Sequence, residues 1–285
     1  MIPQTIQRKL IFFKKLKRKV VVLIAFLTDW GLKSHYVGVA KAVMKQINPK
    51  VDIVDITHEI EPFNVRQASH ILYRASLDFP TNTVFLVVVD YGVGTARKAI
   101  VMKTKNGQIY VGPDNGVFTV VAEEYGVQEL REIANRDLFY KKDPSFTFHG
   151  RDIFAPVAAH IEMGTPLESV GPRLLYYEAL RIKKPSMIGD HLEGEVAVVD
   201  TFGNVSTNIP FGLLVELGVE YDDTVRVKIG KKEYKASVAK AFGDVEPGEL
   251  LVHPDSAGFL EIAVNLGNAA ELLQVSEGEE VEVWR

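Results

Sequence analysis

An acid and an arginine follow the most apolar stretch of the sequence. Thr83 to Arg97 reads TVFLVVVDYGVGTAR, so a nearly unbroken apolar run ends at Asp90 and a glycine-containing loop leads to Arg97. Such a run is typical of a strand buried on both faces, and ligands of parallel α/β sheets bind beyond the strands' carboxyl ends. A carboxylate and a guanidinium on one such loop can hold a polar substrate or a water molecule. The loop is not a dinucleotide-binding fingerprint, because Arg97 stands at the third glycine position and a hairpin, not a helix, is predicted to follow.

A histidine lies in a second polar motif, Thr147 to Asp152, which reads TFHGRD and precedes a predicted helix. His149 can act as an acid or base near neutral pH, and Gly150 permits close approach of a backbone or ligand. A purely structural histidine is the alternative, and the charged neighbours favour the functional interpretation. Arg151 and Asp152 are expected to form a local cap or ion pair rather than to do chemistry.

Aspartates end several predicted strands, and the carboxyl ends of parallel strands share one edge of a sheet. We therefore expect Asp29, Asp90 and Asp114 to converge there. Asp29, in the motif TDWG, can accept both hydroxyls of a ribose or bind a cation, or it can cap the next helix. For Asp114, in PDNG, a simple turn and a site residue remain equally compatible with the sequence.

The segment THEIE, residues 57–61, offers His58 and Glu61 as metal ligands. Their spacing matches no known zinc pattern, and no HExxH motif occurs in the chain. We therefore expect no metal site and no metal catalysis.

Two loop motifs in the C-terminal half carry polar and aromatic side chains. DTFGN contains Asp200, Phe202 and Asn204, and PDSAGF contains Ser256. An asparagine can pair with an adenine edge, and a phenylalanine offers a stacking face. Taken by itself, FGN is more simply interpreted as a turn with an anchoring residue.

Apolar runs and helical periodicity alternate from Val20 onward. The order is strand VVVLIAFLTD, helix YVGVAKAVMKQI, strand VDIVDIT, helix VRQASHILYRASLDF and strand TVFLVVVD. This βαβαβ pattern predicts a mainly parallel sheet with right-handed crossovers and helices on both faces. A hairpin turning at Asn106-Gly107 and helices near VFTVVAEEY and RDIFAPVAAHIEMG complete this α/β domain.

Beyond the α/β domain the helical periodicity largely ends. Short β-rich runs separated by turn residues predict a smaller, barrel-like C-terminal β domain. The expected organisation is a basic arm over residues 1–19, an α/β catalytic domain over 20–180, a linker over 181–191 and the β domain over 192–285. The arm holds seven Lys or Arg and no acid, and no small-residue cleavage site follows the next apolar run, so we do not predict a signal peptide.

The composition restricts the class of function. A formal net charge of -4 disfavours nucleic acid as the main partner, because phosphate binding needs a concentrated basic surface. No apolar segment has the length needed to span a bilayer, so we expect no membrane partner. The absence of cysteine excludes disulfides and thiolate catalysis and suits a cytoplasmic protein. These properties favour small-molecule chemistry in the cytoplasm.

Six motifs, in this order and spacing, resemble those of the S-adenosyl-L-methionine hydroxide adenosyltransferases, which are relatives of the S-adenosylmethionine-dependent fluorinase and chlorinase. The motifs are FLTDWG, VVDYGVGTARKAIV, YVGPDNG, TFHGRDIFAP, VVDTFGNVSTNI and DSAGFLEIAVNLGNAA. The resemblance extends from Val20 to the C-terminus. It implies hydrolysis of S-adenosyl-L-methionine to adenosine and L-methionine without a metal or redox cofactor. It also implies a homotrimer with active sites between one subunit's first domain and the next subunit's second domain.

The resemblance assigns roles to individual residues. It implies a catalytic triad of Asp90, Arg97 and His149. The substrate contacts that it implies are Asp29 for the ribose hydroxyls, Asp200 and Ser256 for the methionine end, and Phe202 and Asn204 near the adenine. The related halogenases have a tyrosine where Asp90 stands and a Tyr-Ser pair in place of residues 149–150, so this chain resembles the hydrolases more.

The chemistry expected is in-line attack of an activated water or hydroxide on the ribose C5′, with methionine as the leaving group. Either His149 or Asp90 takes the proton, and Arg97 favours the hydroxide form. An adenosine or S-adenosylmethionine sensor with incidental turnover and a halide transferase are the alternatives. Tyr91, Trp30, Ala257 and Val264 depart from residues common in the related proteins, which affects the substrate contacts more than the triad.

Overall fold

The computed structural model describes residues 22–285. The basic arm predicted over residues 1–19 lies outside the described residues. Two sheets account for the strands of the described part, one in each half of the chain. No helix within residues 22–285 has both the length and the apolarity that crossing a bilayer requires.

The N-terminal half contains a six-stranded sheet in the order β2-β1-β3-β5-β4-β6 within the described residues. Its strands are β1 (Ile24–Thr28), β2 (Ile53–Thr57), β3 (Val84–Val88), β4 (Ala99–Thr104), β5 (Ile109–Pro113) and β6 (Val127–Glu132). Strands β2, β1, β3 and β5 are parallel neighbours, whereas β4 pairs antiparallel with both β5 and β6. The predicted mainly parallel sheet is confirmed, and the β4–β5 hairpin forms its antiparallel part.

Helices cover both faces of this sheet, which explains why its central strands are apolar throughout. The helices are α1 (Tyr36–Ile47), α2 (Val65–Asp78), α3 (Thr119–Tyr125) and α4 (Ala155–Glu162). In β1, Ile24 and Phe26 pack in the core that contains α1 and α4, whereas Ala25 and Leu27 pack in the core that contains α2 and α3. Successive residues of a strand point to opposite faces, so a sheet with two cores needs an unbroken apolar run.

The register of the central strands determines which loops meet. In the β1–β3 pair, Thr28 lies opposite Val88. The loops that begin with Asp29 and Asp90 therefore leave the sheet at the same edge. This is the edge at which parallel α/β sheets bind ligands.

The C-terminal half is a closed β-barrel. Its sheet has the order β14-β10-β11-β12-β13-β9-β8-β7, and an additional β14–β8 pairing closes the ring and leaves β7 outside it. The strands are β7 (Ser186–Ile188), β8 (His191–Val199), β9 (Val205–Pro210), β10 (Thr224–Ile229), β11 (Lys232–Val238), β12 (Leu250–Pro254), β13 (Phe259–Val264) and β14 (Glu280–Trp284). Short helices α5 (Phe211–Glu216) and α6 (Ala269–Leu273) pack against the barrel core. The predicted barrel-like domain is confirmed.

Some elements do not follow from apolar patterning. Strand β6 has the sequence VQELRE and lies at a sheet edge, and β9 has the polar sequence VSTNIP. Strand β7 lies within residues 181–191, the segment predicted as a linker, and pairs antiparallel with β8. Strands β6 and β7 lie at sheet edges, where only one apolar face or none is needed, so their sequences carry a weak strand signal. Strand β9 lies between β13 and β8, and its sequence alternates little between apolar and polar residues.

One face of α2 joins the two halves of the chain. Arg66 donates from Nη1 to Glu195 Oε1 of β8 at 2.5 Å and from Nη2 to the Arg181 carbonyl oxygen at 2.7 Å. Gln67 donates to Glu277 at 2.9 Å. Arg66, His70 and Arg74 recur every four residues, so they form one stripe along the helix, and all three lie against barrel residues.

Candidate active site

Asp90 and Arg97 form a two-pronged ion pair at the edge of the α/β sheet. Arg97 Nη2 lies 2.5 Å from Asp90 Oδ2, and Nε donates to Oδ1 at 3.1 Å. The Asp90 side chain is only 5% exposed, and the Arg97 side chain only 8%. The Gly92 N–H also donates to Asp90 Oδ1, at 3.2 Å. A bidentate pair with this little exposure fixes the orientation of both groups.

His149 completes the cluster. Arg97 Nη2 lies 3.3 Å from His149 Nδ1, and an arginine can only donate, so Nδ1 is the acceptor and the neutral ring carries its hydrogen on Nε2. Burial lowers the pKa of His149, and the positive charge of Arg97 lowers that pKa further, although Asp90 and Asp152 oppose both effects. The imidazole is therefore neutral near pH 7. The predicted triad residues Asp90, Arg97 and His149 are brought together by the fold.

The loop that carries His149 is held by a fully buried carboxylate. Asp152 accepts from Arg151 Nε at 2.6 Å and from the Ser145 N–H at 2.9 Å. The predicted local Arg151–Asp152 ion pair is confirmed, whereas no side chain caps the helical segment. Residues Gly150–Phe154 form a π-helical turn that runs into α4, and such turns occur frequently at functional sites.

Asp29 faces the triad from the neighbouring strand. Its Oδ2 accepts a hydrogen bond from the Phe63 N–H at 2.9 Å. Burial raises the pKa of Asp29, the nearby negative charge of Asp90 raises it further, and the Phe63 N–H opposes this. Phe63 adopts a φ of 67°, a left-handed conformation that is strained for an aromatic residue and often marks functional sites.

A cavity of about 290 Å³, hereafter the sheet-edge cavity, opens between these groups. Its lining includes Asp29, Asp90 and His149 together with an aromatic wall of Trp30, Tyr36, Phe63 and Phe148. Trp30 packs edge-on against Phe148, with 5.4 Å between the ring centroids. The wall fits tightly, since a Cβ added at Gly150 would lie 2.4 Å from a Trp30 ring atom.

Two other candidates from the sequence, Asp114 and His58, lie outside the sheet-edge cavity. Asp114 lies outside the lining of the sheet-edge cavity, and its Oδ1 accepts from the Glu178 N–H at 2.8 Å, so the turn interpretation is the one that the geometry supports. His58 is buried, with Nδ1 at 2.9 Å from Thr28 Oγ1 and Nε2 at 3.1 Å from Asp55. Among residues 22–285, no group of three or more His, Asp or Glu side chains is arranged to hold a metal ion.

A second, larger cavity lies on the barrel, lined mainly by residues of strands β8, β9, β12 and β13 and of the loops next to the ends of these strands. This barrel-end cavity has a volume of about 1030 Å³, and Asp200, Phe202, Asn204 and Ser256 all line it. Phe202 is 77% exposed, whereas Asn204 is buried. The predicted methionine and adenine contacts therefore lie on one surface.

The loops at this cavity share one architecture. In DTFGN, Asp200 Oδ1 accepts from the backbone N–H groups of Phe202 and Asn204, both at 2.9 Å. In DSAGF, Asp255 Oδ1 accepts in the same way from the residues two and four positions later, at 2.8 and 2.9 Å. Gly203 and Gly258 occupy the matching fourth position, with φ of 83° and 87°. Each loop precedes its own strand of the antiparallel β9–β13 pair, so the two loops lie at opposite ends of that pair. The Ser206 hydroxyl of β9 donates to Asp255 of the second loop.

Sequence reasoning missed several lining residues. Phe63 and Phe148 line the sheet-edge cavity, and Arg74 and Asp255 line the barrel-end cavity. Phe63 follows β2, so the rule that ligands bind beyond the carboxyl ends of parallel strands applied to it as well. The repeated Asp-x-x-Gly spacing of the two barrel loops was a further signal. Arg74 had none, because it lies in the middle of a helix.

The two cavities have no lining residue in common. Asp29, Asp90 and His149 line the first, and Arg97 is hydrogen-bonded to Asp90. The remaining predicted substrate contacts line the second. Each cavity in a single chain thus carries part of the predicted site.

Comparisons with known proteins match both halves of the chain to one protein family. The family models that match are the SAM hydroxide adenosyltransferase N-terminal domain, over residues 24–171, and the C-terminal domain of that family, over residues 194–282. An (R)-S-adenosyl-L-methionine hydrolase from Salinispora tropica is 41% identical, with 91% of this chain and 97% of the relative covered. A fluorinase from Nocardia brasiliensis is 31% identical, with 92% and 96% covered.

A solved structure is similar over the same extent. The crystal structure of an uncharacterized conserved protein from Thermotoga maritima has a TM-score of 0.90 and 74% sequence identity, covering 92% of this chain and all of that one. Both domains are matched by family models, in the predicted order. The chain therefore belongs to the S-adenosyl-L-methionine hydroxide adenosyltransferase family.

Proposed function

We propose that this protein hydrolyses S-adenosyl-L-methionine to adenosine and L-methionine. The observation that carries the proposal is the Asp90–Arg97–His149 cluster, in which Asp90 and His149 line one cavity together with Asp29. The curated relatives named as hydrolases support the same reaction. The sulfonium of the substrate is a cationic leaving group that departs as neutral methionine, so the reaction needs no acid, metal or redox cofactor. It needs a positioned and activated water.

The triad is suited to that task. The Arg97–His149 contact supports a division of roles in which the Nε2–H of neutral His149 orients the water oxygen. Asp90 then receives the proton, and Arg97 stabilises the negative charge that develops on the oxygen. The oxygen bonds to C5′ as the C5′–S bond breaks, so the products are adenosine, methionine and one proton.

Asp29 is proposed to hold the ribose. Its carboxylate lies on the same sheet edge as the triad and can accept from both hydroxyls of the sugar. Holding the sugar there places C5′ near the triad and lowers the entropic part of the barrier. The aromatic wall around Trp30 keeps competing bulk water away.

We further propose that the complete site forms between subunits of a homotrimer in the cytoplasm. The sheet-edge cavity, at about 290 Å³, is at the lower limit for ligand pockets, which span roughly 300–1,000 Å³. The barrel-end cavity with Asp200, Phe202, Asn204 and Ser256 is the separate surface that a neighbouring copy would supply. The lack of cysteine is compatible with the proposed location.

The test uses the full chain, S-adenosylmethionine and ¹⁸O-labelled water. We expect adenosine labelled at its 5′-hydroxyl and unlabelled methionine. Adenosine without label, or no adenosine at all, would reject the mechanism. Because the relative from Salinispora tropica is named for the (R) sulfonium epimer, both epimers are assayed separately, and we expect faster turnover of (R).

The fluorinase similarity makes halide transfer the competing outcome. The same incubation is repeated with chloride or fluoride in excess. Formation of a 5′-halo-adenosine in place of adenosine would assign the protein to halide transfer. An adenosine yield independent of halide would support hydrolysis.

A further inference from the structure

The barrel-end cavity has an uneven charge distribution. Its acidic lining residues are Asp200, Asp255 and Glu261. Among the described residues that line it, Arg74 is the one arginine or lysine. The proposed substrate carries a sulfonium, an ammonium and a carboxylate, so the acids match its two cationic groups. Arg74 is then the side chain of permanent positive charge that can pair with the substrate's carboxylate.

Arg74 comes from α2 of the N-terminal domain and is fixed against the barrel. Its Nη2 donates to the Thr207 carbonyl oxygen at 2.8 Å and to Ser206 Oγ at 3.1 Å. The guanidinium carbon lies 4.7 Å from the centroid of the Phe259 ring. These contacts hold the plane of the guanidinium on the cavity wall, so little side-chain entropy is lost when a ligand binds.

The hydrogen-bonding capacity of Arg74 is not exhausted. Nε lies 3.5 Å from Asp255 Oδ2, which is an ion pair but too long for a good hydrogen bond. Asp255 already accepts from the Ala257 and Phe259 N–H groups and from Ser206 Oγ. Within residues 22–285, Nη1 makes no hydrogen bond, and it is not among the buried atoms that lack a partner, so it is open to the cavity.

We propose that Arg74 binds the α-carboxylate of the substrate's amino-acid end and thereby selects for ligands that carry this carboxylate. This rests on the proposed function. Arginine is the side chain best suited to carboxylates, because its N–H groups form charge-assisted hydrogen bonds in a fixed geometry. The role is substrate positioning, since Arg74 lies in the cavity that does not contain the triad.

The test compares S-adenosylmethionine with its decarboxylated form, which keeps the sulfonium and amine. For the natural protein we expect the decarboxylated compound to bind about 10–100-fold more weakly, the range for one charge-assisted hydrogen bond. Arg74→Gln should weaken binding of S-adenosylmethionine by a similar factor and leave the decarboxylated compound nearly unchanged. Arg74→Lys, which keeps the charge, should recover part of the loss.

Arg66→Gln is the matched control. Arg66 lies on the same helix and also joins it to the barrel, but it lines neither cavity. We expect Arg66→Gln to affect both compounds equally and through stability only. Equal loss of both compounds in Arg74→Gln, or equal affinity of the natural protein for both compounds, would overturn the proposal.

Affinities are measured by calorimetry as well as from KM. If the natural protein binds S-adenosylmethionine but releases no adenosine, hydrolysis is rejected while the comparison of dissociation constants still decides the role of Arg74. If it hydrolyses both compounds with equal KM and equal affinity, the Arg74 proposal fails and hydrolysis stands.

Discussion

The two cavities use their carboxylates in different ways. At the sheet edge, Asp90 bonds to the side chain of Arg97, which also reaches His149 from a different loop. At the barrel end, Asp200 and Asp255 bond mainly to backbone N–H groups of their own loops. A cluster of bonded side chains can redistribute charge and transfer protons. A carboxylate bonded mainly to the N–H groups of its own loop fixes the backbone conformation instead.

This difference separates chemistry from recognition. Substitutions in the sheet-edge cluster should change kcat, because the transition state depends on those charges. Substitutions in the barrel loops should change KM and stability, because they alter a binding surface.

Asp90→Ala should produce the largest effect. It removes the proposed base, so kcat should fall by about 10²–10⁴-fold. Binding should weaken by much less, through the charge of Arg97 that is no longer paired. Steady-state kinetics and calorimetry measure the two quantities. Asp114→Ala is the control, since Asp114 also follows a strand but lies outside the cavity, and it should retain kcat. Retained kcat in Asp90→Ala would contradict a catalytic site and favour a sensor.

His149→Gln should lower kcat by about 10²-fold and change its pH dependence. Burial and Arg97 lower the pKa of His149 from 6.5, so the ring is neutral at pH 7. Protonation would place a hydrogen on Nδ1, the atom that accepts from Arg97, and would break that hydrogen bond. The kcat of the natural protein should therefore fall as the pH drops through the lowered pKa of His149. The variant should lack this acidic limb. A limb of the same midpoint in both proteins would assign it to another group.

Gly150→Ala tests how tightly the sheet-edge cavity is packed. The added Cβ would lie 2.4 Å from the Trp30 ring, and a rigid ring can relieve this only by moving the cavity wall. We expect a loss of about 1–3 kcal/mol in the free energy of unfolding and a lower kcat. Gly38→Ala, within α1 and with no atom within 4 Å of its added Cβ, should instead stabilise the protein slightly. Unchanged kcat in Gly150→Ala would show that the wall is compliant.

The paired glycines of the barrel loops should give the smallest effects. Gly203→Ala and Gly258→Ala both place a Cβ at a left-handed φ, which costs about 1–2 kcal/mol. At Gly203 the Cβ would also lie 2.0 Å from the Asn268 side chain, whereas at Gly258 no atom lies within 4 Å. Gly203→Ala should therefore lower the melting temperature more and raise KM, since Asn268 lines the cavity. Similar KM values for both variants would indicate that this loop does not touch the substrate.

The elements of the α/β domain were predictable because their patterns are strong. The helices over Tyr36–Ile47 and Val65–Asp78 have the expected periodicity, and buried β3 has its continuous apolar run. The edge strands β6 and β7 were not found, because an edge position does not demand an apolar pattern. The helices α5 and α6 are too short for a periodic signal to develop.

The candidate site was predictable where residues follow strands. Asp29 and Asp90 follow paired strands, so their meeting follows from topology alone. The approach of His149 to Arg97 required the folding of a loop 52 residues away in sequence, and only the motif resemblance indicated it. The proposed role of Arg74 could not be predicted, because the sequence of a helix does not indicate which barrel residues will pack against a given position of that helix.

The β14–β8 pairing sets the order in which the protein matures. Strand β8 is the first strand of the ring to be synthesised and β14 is the last, so the ring stays open until Glu280–Trp284 has left the ribosome. The α/β domain precedes the barrel and can fold during translation. The ion-pair partners of Arg66, His70 and Arg74 lie in the barrel, so helix α2 gains these contacts only after the barrel strands have been synthesised. The ring closes where Glu280 of β14 pairs with Glu195 of β8, the residue that Arg66 and His70 of α2 contact.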